Sequence, residues 1–221
     1  VLLPLLAGCW NRMEIEDGAY VLAVGIDQGR SSPYAITVVM GRPRALAGKE
    51  GGGGSEPPVV ITTVEAPSLA AATNVLHGYI GRRVQFHHTL AVFVHEELAR
   101  TKGLPFLGEL IRFRQMRETA FLIVTREPAA VFLEHVHPRF DNNPIKFIEQ
   151  LTYHARTSGT LPAESQINGV ISLLNAQYQE PVAYYAALAA DVTGQETSSP
   201  ERESAFTAGA LPRRGGTPVE M

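Results

Sequence analysis

Short apolar runs, each bounded by turn-forming residues, predict the strands of this chain. Residues 19–27 form a near-continuous apolar run, and residues 34–40 form another after the turn at Ser31-Ser32-Pro33. Two such runs joined by a tight turn predict an antiparallel β-hairpin of buried strands. Further strands are predicted at the β-branched segment 59–65, the alternating segment 84–94, the apolar segment 119–125 and the short segment 205–211.

Apolar residues at helical spacing predict the helices. Leu69, Ala72, Leu76 and Ile80 recur every three or four residues after Pro67-Ser68, and Gly81 is a typical C-terminal stop. Four more helices are predicted from similar stripes: Leu107, Leu110 and Ile111 within 104–114; Phe132, Leu133 and Val136 after Glu127-Pro128; Ile148, Leu151 and Ala155 between Asn143-Pro144 and Gly159; and Ile167, Val170, Ile171 and Leu174. Residues 182–190 are compatible with either a helix or a strand.

These elements predict an α+β fold with an antiparallel or mixed sheet of about five to seven strands and four or five helices. The chain has 221 residues, enough for one large domain, and 45% of them are hydrophobic, which is ordinary for a protein with a buried core. We assign the domain to residues 19–212 and the tail to 213–221, which we interpret as truncated before further domains. Residues 43–58 contain Gly51-Gly52-Gly53-Gly54-Ser55 and predict a flexible loop rather than a phosphate-binding loop, because no Gly-Lys-Ser/Thr follows.

The front of the chain carries the pattern of a bacterial lipobox. Leu5-Leu6-Ala7-Gly8 precede Cys9, the single cysteine of the chain. A signal peptidase needs small side chains before its cut, and the cysteine thiol then receives a diacylglycerol. Each buried CH₂ of the acyl chains contributes about 0.8 kcal/mol to membrane partition. We therefore interpret residues 1–8 as the remnant of a signal peptide, Cys9 as the lipid attachment site, and residues 9–18 as a lipid-anchored tether.

Charge and composition exclude several other classes of protein. The formal net charge is −3, which gives no reason to expect a nucleic-acid partner. No apolar run reaches the eighteen or so residues that span a bilayer. One cysteine excludes an internal disulfide and a cysteine-rich metal site.

The candidate chemistry is sparse. His87 and His95 are about 26 Å apart on an extended strand, and His87 and His88 point to opposite faces, so neither pair can chelate one ion. Arg112, Arg114 and Arg117 could bind an anion, but we favour a solvated face that pairs with acids such as Glu109 and Glu118. No motif of a nucleophile with its base is visible. We expect no catalytic residue, no metal site and no cofactor.

Three segments resemble the Ger(x)C family, the lipoprotein C subunits of the nutrient germinant receptors of spore-forming bacteria. The first is Cys9-Trp10-Asn11-Arg12-Met13-Glu14-Ile15 followed by Val21-Leu22-Ala23-Val24-Gly25-Ile26-Asp27. The second runs from Arg82-Arg83 to His88 and on through Val94-His95-Glu96-Glu97-Leu98-Ala99. The third spans 112–124, and a weaker match lies at 205–211. The glycine-rich segment at 51–54 departs from the family pattern.

The resemblance implies a non-enzymatic germinant-receptor subunit, a palmitate-type lipoprotein with Cys9 as its acylation site. It would lie at the outer face of the spore inner membrane or cell membrane, and its partners would be the two integral-membrane subunits of the receptor. Two other functions stay open. One is a lipid-anchored solute-binding protein of a transporter, which would need two lobes and an aromatic-lined cleft. The other, less favoured, is an exported hydrolase, which would need a clustered nucleophile and base.

Overall fold

The computed structural model describes residues 17–42, 59–101, 105–136, 165–176, 181–188 and, for the backbone, 204–210, with six helical residues between 146 and 157. The strands are β1 (Gly18–Gln28), β2 (Tyr34–Gly41), β3 (Val59–Ala66), β4 (Arg83–Gln85), β5 (Ala91–His95), β6 (Phe121–Thr125), β7 (Val182–Leu188) and β8 (Ser204–Ala210). The helices are α1 (Leu69–Ile80), α2 (Glu96–Thr101), α3 (Pro105–Arg112), α4 (Ala129–His135) and α5 (Ile167–Asn175). None of the helices in these ranges is long and apolar enough to cross a membrane.

The strands form one mixed sheet in the order β3-β2-β1-β5-β6-β7-β8, and β4 pairs with β1 beside β5. Strands β1, β5, β6 and β7 are parallel to one another, whereas β2, β3 and β8 pair antiparallel with their neighbours. The predicted hairpin of β1 and β2 is confirmed, with Val24 opposite Val38 and Gln28 opposite Tyr34. The predicted α+β class with a mixed sheet is confirmed as well.

Helices cover both faces of the sheet and bury a separate core on each. On one face, α1, α2, α3 and α5 contribute Leu76, Leu98, Leu107 and Val170 to the larger core. On the other face, α4 packs Phe132 and Leu133 against the strands in a smaller core. Each fully buried side chain of this size contributes roughly 1.5–3 kcal/mol. The two cores explain why the central strand β6, whose sequence is almost wholly apolar, is buried on both faces.

The ends of α1 agree with the sequence prediction. The Ser68 hydroxyl accepts a hydrogen bond from the amide of Ala71 and caps the N-terminus. Gly81 ends the helix with φ +66°, a left-handed conformation that favours glycine. The helices predicted after Glu127-Pro128 and around Val170 are also confirmed, as α4 and α5. The stripe Ile148, Leu151 and Ala155 and the loop 43–58 lie outside the described residues.

Two predictions about local structure are wrong in part. Residues 84–94 form two strands, β4 and β5, rather than one. Between the residues of β1 that pair with β4 and those that pair with β5 lie only Val21 and Leu22, whereas five residues, 86–90, separate β4 from β5. These five residues therefore loop out. In α3, Leu107 and Leu110 are buried as predicted, but Ile111 is 41% exposed and Phe106 is the third buried residue of the stripe. Residues 182–188, which were compatible with either element, form the strand β7.

Candidate functional site

The parallel strands β1, β5, β6 and β7 all end at one edge of the sheet, which we call the carboxyl edge. In open sheets with parallel strands, ligands commonly bind beyond these ends, where the following helices diverge to opposite faces. Here α2 follows β5 on the face of the larger core, and α4 follows β6 on the face of the smaller core. The carboxyl edge is therefore the first place to look for a site.

Asp27, near the end of β1, binds the first turn of α4. One carboxylate oxygen accepts a hydrogen bond of 2.6 Å from the amide of Ala129, and the other accepts one of 2.9 Å from the amide of Ala130. Burial raises the pKa of Asp27 above its ordinary value, and the amides of Ala130 and Ala129 and the nearby His95 oppose that rise. These bonds satisfy amides that a helix start leaves without internal partners.

Glu96, the first residue of α2, reaches across to β7. Its carboxylate accepts a hydrogen bond of 2.9 Å from the Tyr185 hydroxyl. Burial, followed by this hydrogen bond and the charge of Glu96, raises the pKa of Tyr185 to about 12. Arg100, one turn later on α2, lies 3.9 Å from the same carboxylate. Tyr185 therefore ties α2 to the end of β7.

Arg126 and Glu127, directly after β6, hold the end of β7. The Arg126 guanidinium donates to Glu127 at 3.0 Å and to the carbonyl of Leu188 at 3.2 Å. The second carboxylate oxygen of Glu127 accepts a hydrogen bond of 3.2 Å from the Leu188 amide. Burial raises the pKa of Glu127, but the bonds from Leu188 and Arg126 outweigh it, so this pKa lies below its ordinary value.

The carboxyl edge thus consists of three carboxylates that each join two elements of the fold. Asp27 joins β1 to α4, Glu96 joins α2 to β7, and Glu127 joins β6 to β7. Such contacts fix where the loops leave the sheet. These hydrogen bonds make the surface at the carboxyl edge rigid, and the three acids that accept them have a structural role.

The sequence interpretation found none of these three acids. Glu127 marks a helix start in the sequence, and Asp27 and Glu96 lie in segments that resemble the family, but none of these positions predicts a hydrogen-bond partner. One signal was available: an acid that ends a buried strand, as Asp27 does, is costly to bury unless a hydrogen-bond donor meets it. The partner could not be identified, because Ala129 lies 102 residues away along the chain.

The candidate residues named from the sequence do not form one common site in the part of the chain that the structure describes. Cys9, the predicted lipid attachment site, lies outside the described residues. Arg112, Arg114 and Arg117 are exposed, as predicted for a solvated face, but within the described part of the chain they form no ion pair with Glu109 or Glu118.

The histidines are spread over the fold as well. His87 and His88 lie in the exposed turn between β4 and β5 rather than on the two faces of one strand, while His95 ends β5. Among the described residues, no group of three or more His, Cys, Asp or Glu could hold a metal ion.

Comparison with known proteins gives consistent matches. A family model described as "Spore germination protein N-terminal domain" matches residues 11–188. Spore germination protein KC of Bacillus subtilis (strain 168) is 29% identical over 181 residues, which cover 80% of this chain and 44% of that protein. Putative spore germination protein YfkR of the same organism is 30% identical over 150 residues, which cover 66% of this chain and 38% of that protein. The match thus spans less than half the length of either relative. No solved structure matches the chain.

Proposed function

The chain belongs to the Ger(x)C family of spore germination proteins, matching their N-terminal domain, and on that premise we propose that it is a membrane-anchored lipoprotein subunit of a spore nutrient germinant receptor. In this proposal Cys9 carries the lipid, and the folded domain is a non-catalytic scaffold. Its partners are the two integral-membrane subunits of the receptor. The protein lies at the outer face of the spore inner membrane.

The main support for the lipid anchor is the sequence Leu5-Leu6-Ala7-Gly8-Cys9, which precedes the domain that matches this family. Stable anchoring of a protein by lipid requires two or more acyl chains, and a diacylglycerol on one sulfur supplies two. The nine residues that precede β1, 9–17, span at most about 30 Å when fully extended. A lipid on Cys9 would therefore hold β1, and the sheet around it, close to the bilayer.

The carboxyl edge supports the scaffold role. Its acids Asp27, Glu96 and Glu127 are engaged in bonds that join the elements of the fold to one another. A surface held in this way can keep a constant shape for a partner subunit.

Fatty-acid labelling in a spore-forming host tests the anchor. We expect the wild-type protein to incorporate a labelled fatty acid and the Cys9→Ala variant to incorporate none. Two substitutions at Gly8 test the lipobox itself. Gly8→Ala keeps a small side chain before the cut and should be processed and labelled, whereas Gly8→Leu should accumulate uncut. Label that persists in Cys9→Ala would contradict the anchor.

Spore fractionation and germination tests examine the receptor role. The wild-type protein should sediment with the inner membrane and co-purify in detergent with the two integral-membrane subunits. Cys9→Ala should move to the soluble fraction and lower the response to nutrients, while the response to a non-nutrient trigger should not change. A Cys9→Ala strain that germinates on nutrients like the wild type would argue against the proposed role.

A further inference from the structure

Five exposed arginines lie at the edge of the sheet opposite the carboxyl edge. They are Arg82 and Arg83 after α1, Arg112 at the end of α3, and Arg114 and Arg117 in the segment before β6. We call this group the basic edge.

The topology places these arginines towards one edge of the sheet. Strand β4 runs parallel to β1, and Arg83 lies opposite Gly18 where β1 begins. Helix α1 leads into β4, and the segment after α3 leads into β6, and both of these strands run parallel to β1. The rings of Phe86 and Phe113 are in edge-to-face contact, with centroids 5.0 Å apart, which brings the segment after α3 beside the segment after β4.

The charge at the basic edge differs from the charge of the protein as a whole. The net charge of the chain is −3. Among the described residues, the acids nearest these five arginines are Glu109 and Glu118 in the sequence and Asp17, which precedes the start of β1. At the carboxyl edge, five acids (Asp27, Glu65, Glu96, Glu97 and Glu127) accompany three arginines (Arg30, Arg100 and Arg126). The fold therefore separates charge between the two ends of the sheet, and the positive end is the one at which β1 begins.

Tyr79 adds an apolar group to the basic edge. It lies in the last turn of α1, three residues before Arg82, and it is 77% exposed. A large exposed aromatic ring with a polar tip, next to cations, is typical of residues at the boundary between a membrane and water.

We propose that the basic edge faces the bilayer and binds the headgroups of anionic phospholipids. The inference rests on the proposed anchor at Cys9. The chain runs from Cys9 into β1, and β1 begins at the basic edge, so a short lipid tether brings this edge to the membrane first. Guanidinium groups bind phosphate through paired hydrogen bonds. Each arginine near an anionic surface strengthens membrane binding by about fivefold, and Tyr79 inserts at headgroup level.

Vesicle co-sedimentation tests the proposal without the lipid anchor. The Cys9→Ser chain is mixed with vesicles of equal parts phosphatidylglycerol and phosphatidylcholine, and separately with vesicles of phosphatidylcholine alone. We expect binding that requires phosphatidylglycerol and weakens as salt is added. The R114Q/R117Q variant should bind roughly 25-fold more weakly. The matched control R30Q/R100Q removes the same charge from exposed sites at the carboxyl edge and should bind like the parent.

Three results would overturn the proposal: binding that does not depend on phosphatidylglycerol, unchanged binding by R114Q/R117Q, or equal losses in both variants, which would indicate net charge alone. If R114Q/R117Q keeps full vesicle binding and also no longer co-purifies with the integral-membrane subunits, the edge binds protein instead of lipid. Thermal unfolding of each variant checks that the fold is intact. Failure of the anchor itself would appear separately, as label persisting in Cys9→Ala.

Discussion

Asp27 and Ala129 are joined by a hydrogen bond of 2.6 Å between the side-chain carboxylate of one and the backbone amide of the other. The bond connects the first strand of the sheet to the start of α4 across 102 residues of sequence. Because the second carboxylate oxygen accepts from Ala130, the side chain fixes both the position and the direction of the helix start.

Replacing Asp27 by Asn should destabilise the protein by about 2 kcal/mol. An amide side chain offers one acceptor oxygen, and its NH₂ group would face the remaining backbone amide. The measurement is the free energy of unfolding in urea. The control is Asp17→Asn, which removes an acid from an exposed position next to β1. Equal stabilities of the two variants would mean that the bonds to α4 contribute nothing.

Gly25→Ala should lower the free energy of unfolding by about 1–3 kcal/mol, because it disturbs the packing of β1 against α4. A methyl group at this position would lie 2.9 Å from Leu133 Cδ1 and 3.2 Å from the Ala129 side chain, both on α4. The double variant Gly25→Ala/Leu133→Val shortens the nearest side chain and should lose less stability than the two single changes add up to. Strictly additive losses in urea unfolding would contradict a direct clash.

Most of the local structure could be predicted from the sequence. The periodicity of Leu69, Leu76 and Ile80 with Gly81 behind them predicts α1 and its end, and the structure confirms both. Apolar runs predicted β1, β2, β3 and β6, because a strand buried on one or both faces must be apolar there.

What could not be predicted depends on contacts distant in sequence. The break between β4 and β5 arises because two residues of β1 lie opposite five residues of the neighbouring segment. The alternation of apolar and polar residues does not reveal this difference. Strict alternation would put Leu90 on the same face as Val92, but Leu90 packs against the smaller core and Val92 in the larger one, because Leu90 lies before β5 in the segment that loops out. Likewise, the hydrogen-bond partners of Asp27 and Glu96 depend on the order of the strands in the sheet, which the sequence does not predict.

Gly78, inside α1, and Gly81, which follows its last residue, should respond in opposite directions to replacement by alanine. Gly81 has φ +66°, so Gly81→Ala should cost about 1 kcal/mol although nothing lies within 4 Å of the new methyl group. Gly78 is inside the helix with equally open surroundings, and Gly78→Ala should gain about 0.5–1 kcal/mol. Thermal unfolding compares the pair directly. Stabilisation by both would show that the left-handed conformation at Gly81 carries no penalty.

Glu65 should make stability depend on pH in acid. Its carboxylate accepts hydrogen bonds from the Ser31 hydroxyl and from the amides of Ser31 and Arg30, which fasten β3 to the turn between β1 and β2. The Ser31 hydroxyl, followed by the amides of Ser31 and Arg30, lowers the pKa of Glu65 from 4.5 to about 2.

Because the folded protein holds Glu65 ionised more strongly than the unfolded chain does, its contribution to stability is complete above the unfolded pKa. That contribution should decline as the pH falls from 4.5 towards about 2. The measurement is the difference in urea midpoint between the wild type and Glu65→Gln across this window. The difference should be largest at the upper end and small at the lower end, because the protonated wild type then resembles the variant. Glu97→Gln, at an exposed position of α2, controls for the loss of one negative charge. A difference for Glu65→Gln that stays constant throughout would show that the hydrogen bonds do not require the ionised carboxylate.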